Sequence, residues 1–127
     1  MERSEIAAFY RRYHGRCNAH EFGRLTEFVT ADVQVNGALA GSDGYIGGLE
    51  TVCRAFPDLH WELMHLFVDP PWIAGHFTVT GTHQGSIPGV EPTGRTVRFQ
   101  EFAIYRLADG KIAEVWGDLG TVEQIVR

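Results

Sequence analysis

Cysteine, basic charge and long apolar runs are what this chain has least of. Its 127 residues include 2 cysteines, Cys17 and Cys53. Neither has a CxxC partner, so nothing resembles a secreted disulfide framework. Each falls on the apolar stripe of a predicted helix, where a thiol packs as a small hydrophobe. Asp and Glu number 16 against 11 Lys and Arg, a net charge of -5. That argues against a general affinity for nucleic acid or an anionic membrane, since either needs a basic face to neutralise phosphates. The local basic cluster of Arg11, Arg12 and Arg16 fits the solvated face of a helix. No run approaches the ~20 apolar residues of a membrane span, and the opening MERSEIAAFYRRYH lacks an apolar signal core. The expectation is a cytoplasmic protein with neither a nucleic-acid nor a membrane partner.

Common ligand signatures are missing too. The histidines, His14, His20, His60, His65, His76 and His83, show no HExxH or related spacing, so no metal is expected. The glycine-rich GSDGYIGG lacks the Lys-Ser/Thr of a phosphate loop, and no GxSxG or Cys-His signature supports covalent catalysis. His83 stands out because GTHQG brackets it between glycines at a strand end, where a side chain can reach a pocket mouth; a structural histidine fits equally. His65 and His76 are placed to face each other across a hairpin.

What is present has the size of a single domain, residues 1–127, with 44% hydrophobic and 21% charged residues. Ile6, Phe9, Tyr10, Tyr13 and Cys17 recur at helical spacing, predicting a helix from residue 4 to about 17 with Ser4 as its cap. Asn18 and Glu21 resemble a capping box for a second helix through Phe22, Leu25, Phe28 and Val29. DVQVNG at 32–37 alternates as a strand; a third helix follows, with cap-type Ser42 and Asp43 at its start and Pro57 at its end. Strands are predicted over 58–68, 72–84, 95–107 and 111–119, rich in β-branched and aromatic residues. Asp69-Pro70-Pro71 and Asp109-Gly110 mark two hairpins and 85–94 a longer loop. Helices in front and an antiparallel sheet behind make this α+β. Apolar residues at both strand parities suggest that helices cover one sheet face and a second subunit the other.

The last hairpin, EFAIYRLADGKIAEVWGD, carries an acid at each end. If Asp109-Gly110 is a two-residue type I′ turn, Tyr105 faces Glu114, Ala103 faces Trp116 and Glu101 faces Asp118, all on one sheet face. Directly opposed like charges ~5 Å apart are unfavourable. In a pocket such a pair can split into one protonated and one ionised acid, the arrangement general acid/base chemistry needs; on a solvated edge, Arg95 or Arg98 can serve as counter-ions. Phe99 and Trp116 on the same face favour a semi-buried location. A bulge would shift the pairing by one and separate the acids. Tyr10 and Tyr13 sit on the core face of the first helix, as packing residues or as hydroxyls pointing into a cavity, and Asn36 at the first strand's end has the same two readings.

FPDLHWEL, FTVTGTHQG, PTGRTVRFQEFAIYRLADGKIAEVWGD and YHGRCNAHEFGRLTEFVTADVQVNG together resemble the SnoaL-like polyketide cyclase family, also called predicted ester cyclases, of the NTF2-like superfamily. The resemblance implies a cone in which a curved antiparallel sheet is wrapped by three helices from the N-terminal half. It also implies a pocket for a hydrophobic small molecule, a homodimer through the outer sheet face, and acid/base catalysis without a cofactor, such as intramolecular aldol closure. In that family an aspartate near the end of the last strand is the acid/base, which matches Asp118. The family's histidine falls on Ala103, which cannot donate a hydrogen bond, and Glu101 stands where the cyclases would have a neutral amide. His83, Tyr10 or Tyr13 would then supply the enolate's donors, with Asn36, Phe99 and Trp116 lining the pocket. Two alternatives stay open: an epoxide-hydrolase- or isomerase-like enzyme using Arg98 or Arg106, and a non-catalytic binding or dimerisation module.

Overall fold

The computed structural model describes residues 1–117 and 121–127. Helix α1 (Arg3–Asn18) leads into a short 3₁₀ helix (Phe22–Glu27) and strand β1 (Val29–Val35), which turns into β2 (Ala38–Leu39). Helix α2 (Gly41–Ala55) follows, then β3 (His60–Asp69), β4 (Trp72–Thr82), β5 (Thr96–Ala108) and β6 (Lys111–Gly117), and last a short α3 (Thr121–Val126). The six strands form one curved, unclosed sheet in the order β2-β1-β6-β5-β4-β3. The expected sheet was antiparallel throughout; instead β1 runs parallel to β6, because the chain crosses from one edge to the other before returning. The α3 helix was not expected.

The helices differ from expectation at their ends. The cap of α1 is Glu2, not Ser4: Glu2 and Glu5 form a reciprocal capping box, satisfying N–H groups that the first turn leaves orphaned. Asn18 caps no second helix. It is the last residue of α1, and its amide donates to the Trp61 carbonyl at 2.9 Å and accepts from the Trp61 N–H at 2.8 Å, fastening α1 to β3. The second helix is therefore only a 3₁₀ segment, entered from Glu21. Helix α2 is capped by Ala40, with Ser42 and Asp43 already inside its first turn.

Ile6, Phe9, Tyr10, Tyr13 and Cys17 of α1 and Tyr45, Ile46 and Cys53 of α2 are buried against the inner sheet face. Both cysteines are free thiols in this core. Arg11 and Arg12 are exposed, and Arg16 pairs with Glu21 at 3.0 Å, as a solvated helix face requires. The outer sheet face is apolar and uncovered: Phe67, Phe102, Ile104, Met64, Trp116 and Trp72 are all exposed, Phe67 to 67%. Across it, His65 pairs with His76 as the sequence suggested.

The last hairpin decides which residues look inward. Asp109 and Gly110 have φ of 52° and 75°, as a type I′ turn demands, and Ala108 pairs with Lys111. Beyond Leu107–Ile112 the register slips, because Ala113 is an extra residue on β6: Arg106 faces Glu114, Tyr105 faces Val115, Ile104 faces Trp116 and Ala103 faces Gly117.

Candidate active site

That one-residue bulge corrects the expected site. Trp116 lies on the outer face beside Ile104, 41% exposed, with its indole N–H on Glu114. It lines no pocket with Glu101. Asp118 lies outside the described residues; the register meant to bring it opposite Glu101 does not reach Gly117. Glu101, Ala103 and Tyr105 do share the inner face, with Phe99 beside them.

The inner face and helices enclose a chamber of about 350 Å³, within the range of small-molecule sites. Helix α2 contributes Gly44, Tyr45, Gly48, Leu49 and Val52, the sheet contributes Val35, Trp61, Val79, Phe99 and Glu101, and Val122 comes from α3. Gly48 has nothing within 4 Å of where a Cβ would sit, so the helix presents bare backbone to the cavity. The lining described contains no Lys or Arg and one carboxylate, Glu101.

Behind the chamber lies a recess of about 40 Å³ that shares Tyr45, Leu49, Trp61 and Glu101 with it and adds Tyr10, Tyr13, His14, Cys17, Phe77 and Tyr105. Two hydroxyl pairs close it. Tyr10 donates to Tyr105 at 3.0 Å, and Tyr13 shares a short hydrogen bond with Tyr45. Burial pushes the pKa of all four tyrosines above the usual phenol range. For Tyr10 and Tyr45 the nearby Glu101 charge adds to the rise. The Cys17 thiol is pushed up to about 12, again chiefly by burial. These groups stay protonated at neutral pH: they are hydrogen-bond donors, not bases.

Tyr10 and Tyr13 thus occupy the site, while two other expected residues do not. His83 is fully buried, its ring stacked on Phe56 at 5.2 Å, and its Nδ1 accepts from the Thr93 hydroxyl at 2.9 Å and the Thr93 N–H at 3.1 Å. It secures the 85–94 loop and reaches no pocket mouth. Asn36, at φ 51° in the β1–β2 turn, donates to the Gly117 carbonyl at 3.0 Å and accepts from the Gly117 N–H at 2.9 Å. It pins the end of β6. Arg98 and Arg106 lie on the outer face, opposite Glu101, as strand parity implied; Arg106 pairs with Glu114. Among the described residues no group of three or more His, Cys, Asp or Glu is placed to hold a metal, and no helix is long and apolar enough to cross a membrane.

Tyr45 is the site residue that the sequence did not reveal, since its helical spacing read as packing. The signal was its neighbours: Gly44 before it and Gly48 after it leave that helix face without side chains, and a tyrosine there borders a gap.

The SnoaL-like polyketide cyclase family matches residues 7–124, and the chain belongs to that family. Aklanonic acid methyl ester cyclase DnrD of Streptomyces peucetius is 28% identical over 109 residues, 83% of this chain and 75% of DnrD. Two crystal structures superpose with TM-scores of 0.82 at 27% identity. One is AclR of Streptomyces galilaeus, a candidate hydroxylase, covering 92% of this chain and 90% of that one. The other is a SnoaL-like polyketide cyclase of Agrobacterium tumefaciens, covering both chains in full. The fold is thus the expected NTF2-like α+β cone.

Proposed function

We propose that this chain is a polyketide-cyclase-like enzyme that performs acid/base chemistry at a carbon next to a carbonyl, without a cofactor. The observation that carries the reading is Glu101 at the junction of an apolar chamber and a recess walled by protonated tyrosines. A chamber lined by apolar side chains with one carboxylate and no cation favours a neutral, hydrophobic keto compound such as an ester. The similarity to DnrD, an aklanonic acid methyl ester cyclase, supports the same substrate class.

In this reading Asp118 removes the α-proton and Glu101 is its proton partner. The C–H electron pair becomes an enolate, whose carbon attacks a second carbonyl of the same molecule. One C–C bond forms, and the resulting alkoxide takes back a proton, so the reaction is redox-neutral. Ala103 offers no donor to the enolate, so the tyrosines of the recess take that role. The epoxide-hydrolase-like alternative is disfavoured because Arg98 and Arg106 belong to the other sheet face. We also propose that two copies pair through that face, whose exposed Phe67 and Phe102 make it an unusually apolar surface for a monomer.

The test is turnover of an aklanonic-type methyl ester by Asp118→Asn and Glu101→Gln. Each should lower kcat by about 100-fold or more while leaving the melting temperature within a few degrees. Activity unchanged in both would sink the acid/base reading.

A further inference from the structure

The two hydroxyl pairs at the back of the chamber hold four phenolic protons, and their mutual hydrogen bonds use two. Tyr10 donates to Tyr105, so their bond does not use the Tyr105 proton; Tyr13 has two hydrogen-bond neighbours, Tyr45 and the Cys17 thiol, and where its proton goes to Tyr45 the Tyr45 proton is left over as well. Every one of these hydroxyls is buried and held in its protonated form by that burial. The pairing therefore leaves an imbalance, phenolic donors that the mutual bonds do not use, in a place where an unused donor is costly. A ligand oxygen entering the recess would correct the imbalance.

Of the four tyrosines, Tyr45 lines the chamber as well as the recess. The compartments differ in what they admit. The chamber of about 350 Å³ takes an apolar body, whereas about 40 Å³ has room for a few atoms and not for a ring. The recess thus accepts the tip of a substrate, and its wall chemistry asks that tip to be a hydrogen-bond acceptor.

We propose that Tyr45 is a catalytic residue that donates its hydroxyl proton in a hydrogen bond to the substrate's carbonyl oxygen, and holds the enolate that forms there. Tyr13 is a positioning residue: by donating to Tyr45 it frees the Tyr45 proton to point at the substrate. This assignment rests on the acid/base reading above and supplies the donor that Ala103 cannot. Tyr45 keeps its proton throughout, since burial and the Glu101 charge both oppose its ionisation. Glu101 lines the same junction from β5, so one substrate carbon can meet a carboxylate while its carbonyl oxygen meets the phenol.

The experiment uses 1-acetylnaphthalene, a neutral aryl ketone with a single acceptor oxygen that cannot cyclise, and reads its carbonyl stretch by infrared difference spectroscopy. Bound to the wild type, the stretch should move to lower wavenumber than in hexane. Tyr45→Phe should abolish most of that shift and weaken binding by about fivefold, the loss expected for one neutral hydrogen bond. Tyr13→Phe should reduce the shift without abolishing it. Replacing Tyr45 by 3-fluorotyrosine, a stronger donor of nearly the same shape, should lower the stretch further, an arm that does not depend on how the phenylalanine variant folds. In turnover of the ester, Tyr45→Phe should lower kcat by about 100-fold with little change in KM. An identical stretch in the wild type and Tyr45→Phe, or no response to fluorination, overturns the assignment, as does failure of the ketone to bind the wild type. Because the ketone reads the donor without turnover, a Tyr45-dependent shift in a protein that converts no ester would retain this donor site while rejecting the cyclase reading.

Discussion

Both sides of the sheet hold identical polar side chains joined in pairs, two tyrosine pairs inside and one histidine pair outside, and the two sides use them differently. Inside, tyrosines pair hydroxyl to hydroxyl in the core. Outside, His65 and His76 share a 2.9 Å hydrogen bond between their Nδ1 atoms, with rings 5.2 Å apart, and His76 stacks on Phe102 at 4.7 Å. His76 also reaches Gln100 at 2.7 Å. Burial raises the pKa of the inner tyrosines, so they keep their protons at neutral pH. The exposed pair needs one ring to donate and the other to accept. The difference teaches that like-with-like pairing has no fixed meaning: burial makes it a stock of donors, and exposure makes it part of a solvent-facing stack with Phe102.

The sharpest way to break this comparison is to charge the outer face alone. Phe102→Arg, in the middle of the apolar patch, should convert a dimer to a monomer in light scattering while the chamber still binds an aryl ketone; a wild type that is itself monomeric would remove the proposed role of that face. Next in size is Gly48→Leu, which fills the chamber from the open α2 face. It should weaken ligand binding by at least about tenfold, leave the oligomeric state alone and stabilise the helix by roughly 0.5–1 kcal/mol, since Gly is a poor helix former. Calorimetry and thermal melts read both quantities, and unchanged affinity would mean that the chamber is not the binding site.

The smallest expected effect is on pH dependence. Burial lowers the His14 pKa from its ordinary 6.5, outweighing the hydrogen bond from its ring to the Trp61 carbonyl, which works the other way. The unfolded chain therefore takes up this proton more readily than the folded one. The His14 contribution is complete above pH 6.5 and is lost as pH falls through 6.5 toward the lowered folded value. The melting temperature should drop by about 2 °C or less over that interval, and His14→Gln should remove that component; an equal slope in the variant would refute it.

Much of this was legible in the residues, for identifiable reasons. The stripe from Ile6 to Cys17 and the alternation in β3 to β5 follow directly from which faces are buried, so helix and strand positions followed the pattern. Glu101 with Phe99 on the inner face, and Arg98 and Arg106 on the outer one, required only the two-residue repeat of a strand. What could not be read was set by partners distant in sequence. Asn36 and His83 have the look of site residues because they are polar at strand ends, yet Asn36 holds the backbone of Gly117, 81 residues on, and His83 is stacked on Phe56 and holds Thr93 of the following loop. The parallel β1–β6 pairing depends on a crossover that no local pattern encodes. Tyr45 was hidden because a helical tyrosine bordering a cavity has the same spacing as one in a core.

The bulge at Ala113 has a further consequence, for how relatives of this chain could diverge. Were Ala113 paired in a regular ladder instead of bulged out, Trp116 would oppose Ala103 on the inner face, narrowing the chamber with an indole and taking an aromatic away from the outside. Losing the bulge at constant chain length would move every later side chain of β6 to the opposite sheet face, with no change in amino-acid composition. A substitution that only favours or disfavours that bulge would therefore change which side chains border the chamber without altering any residue that lines it.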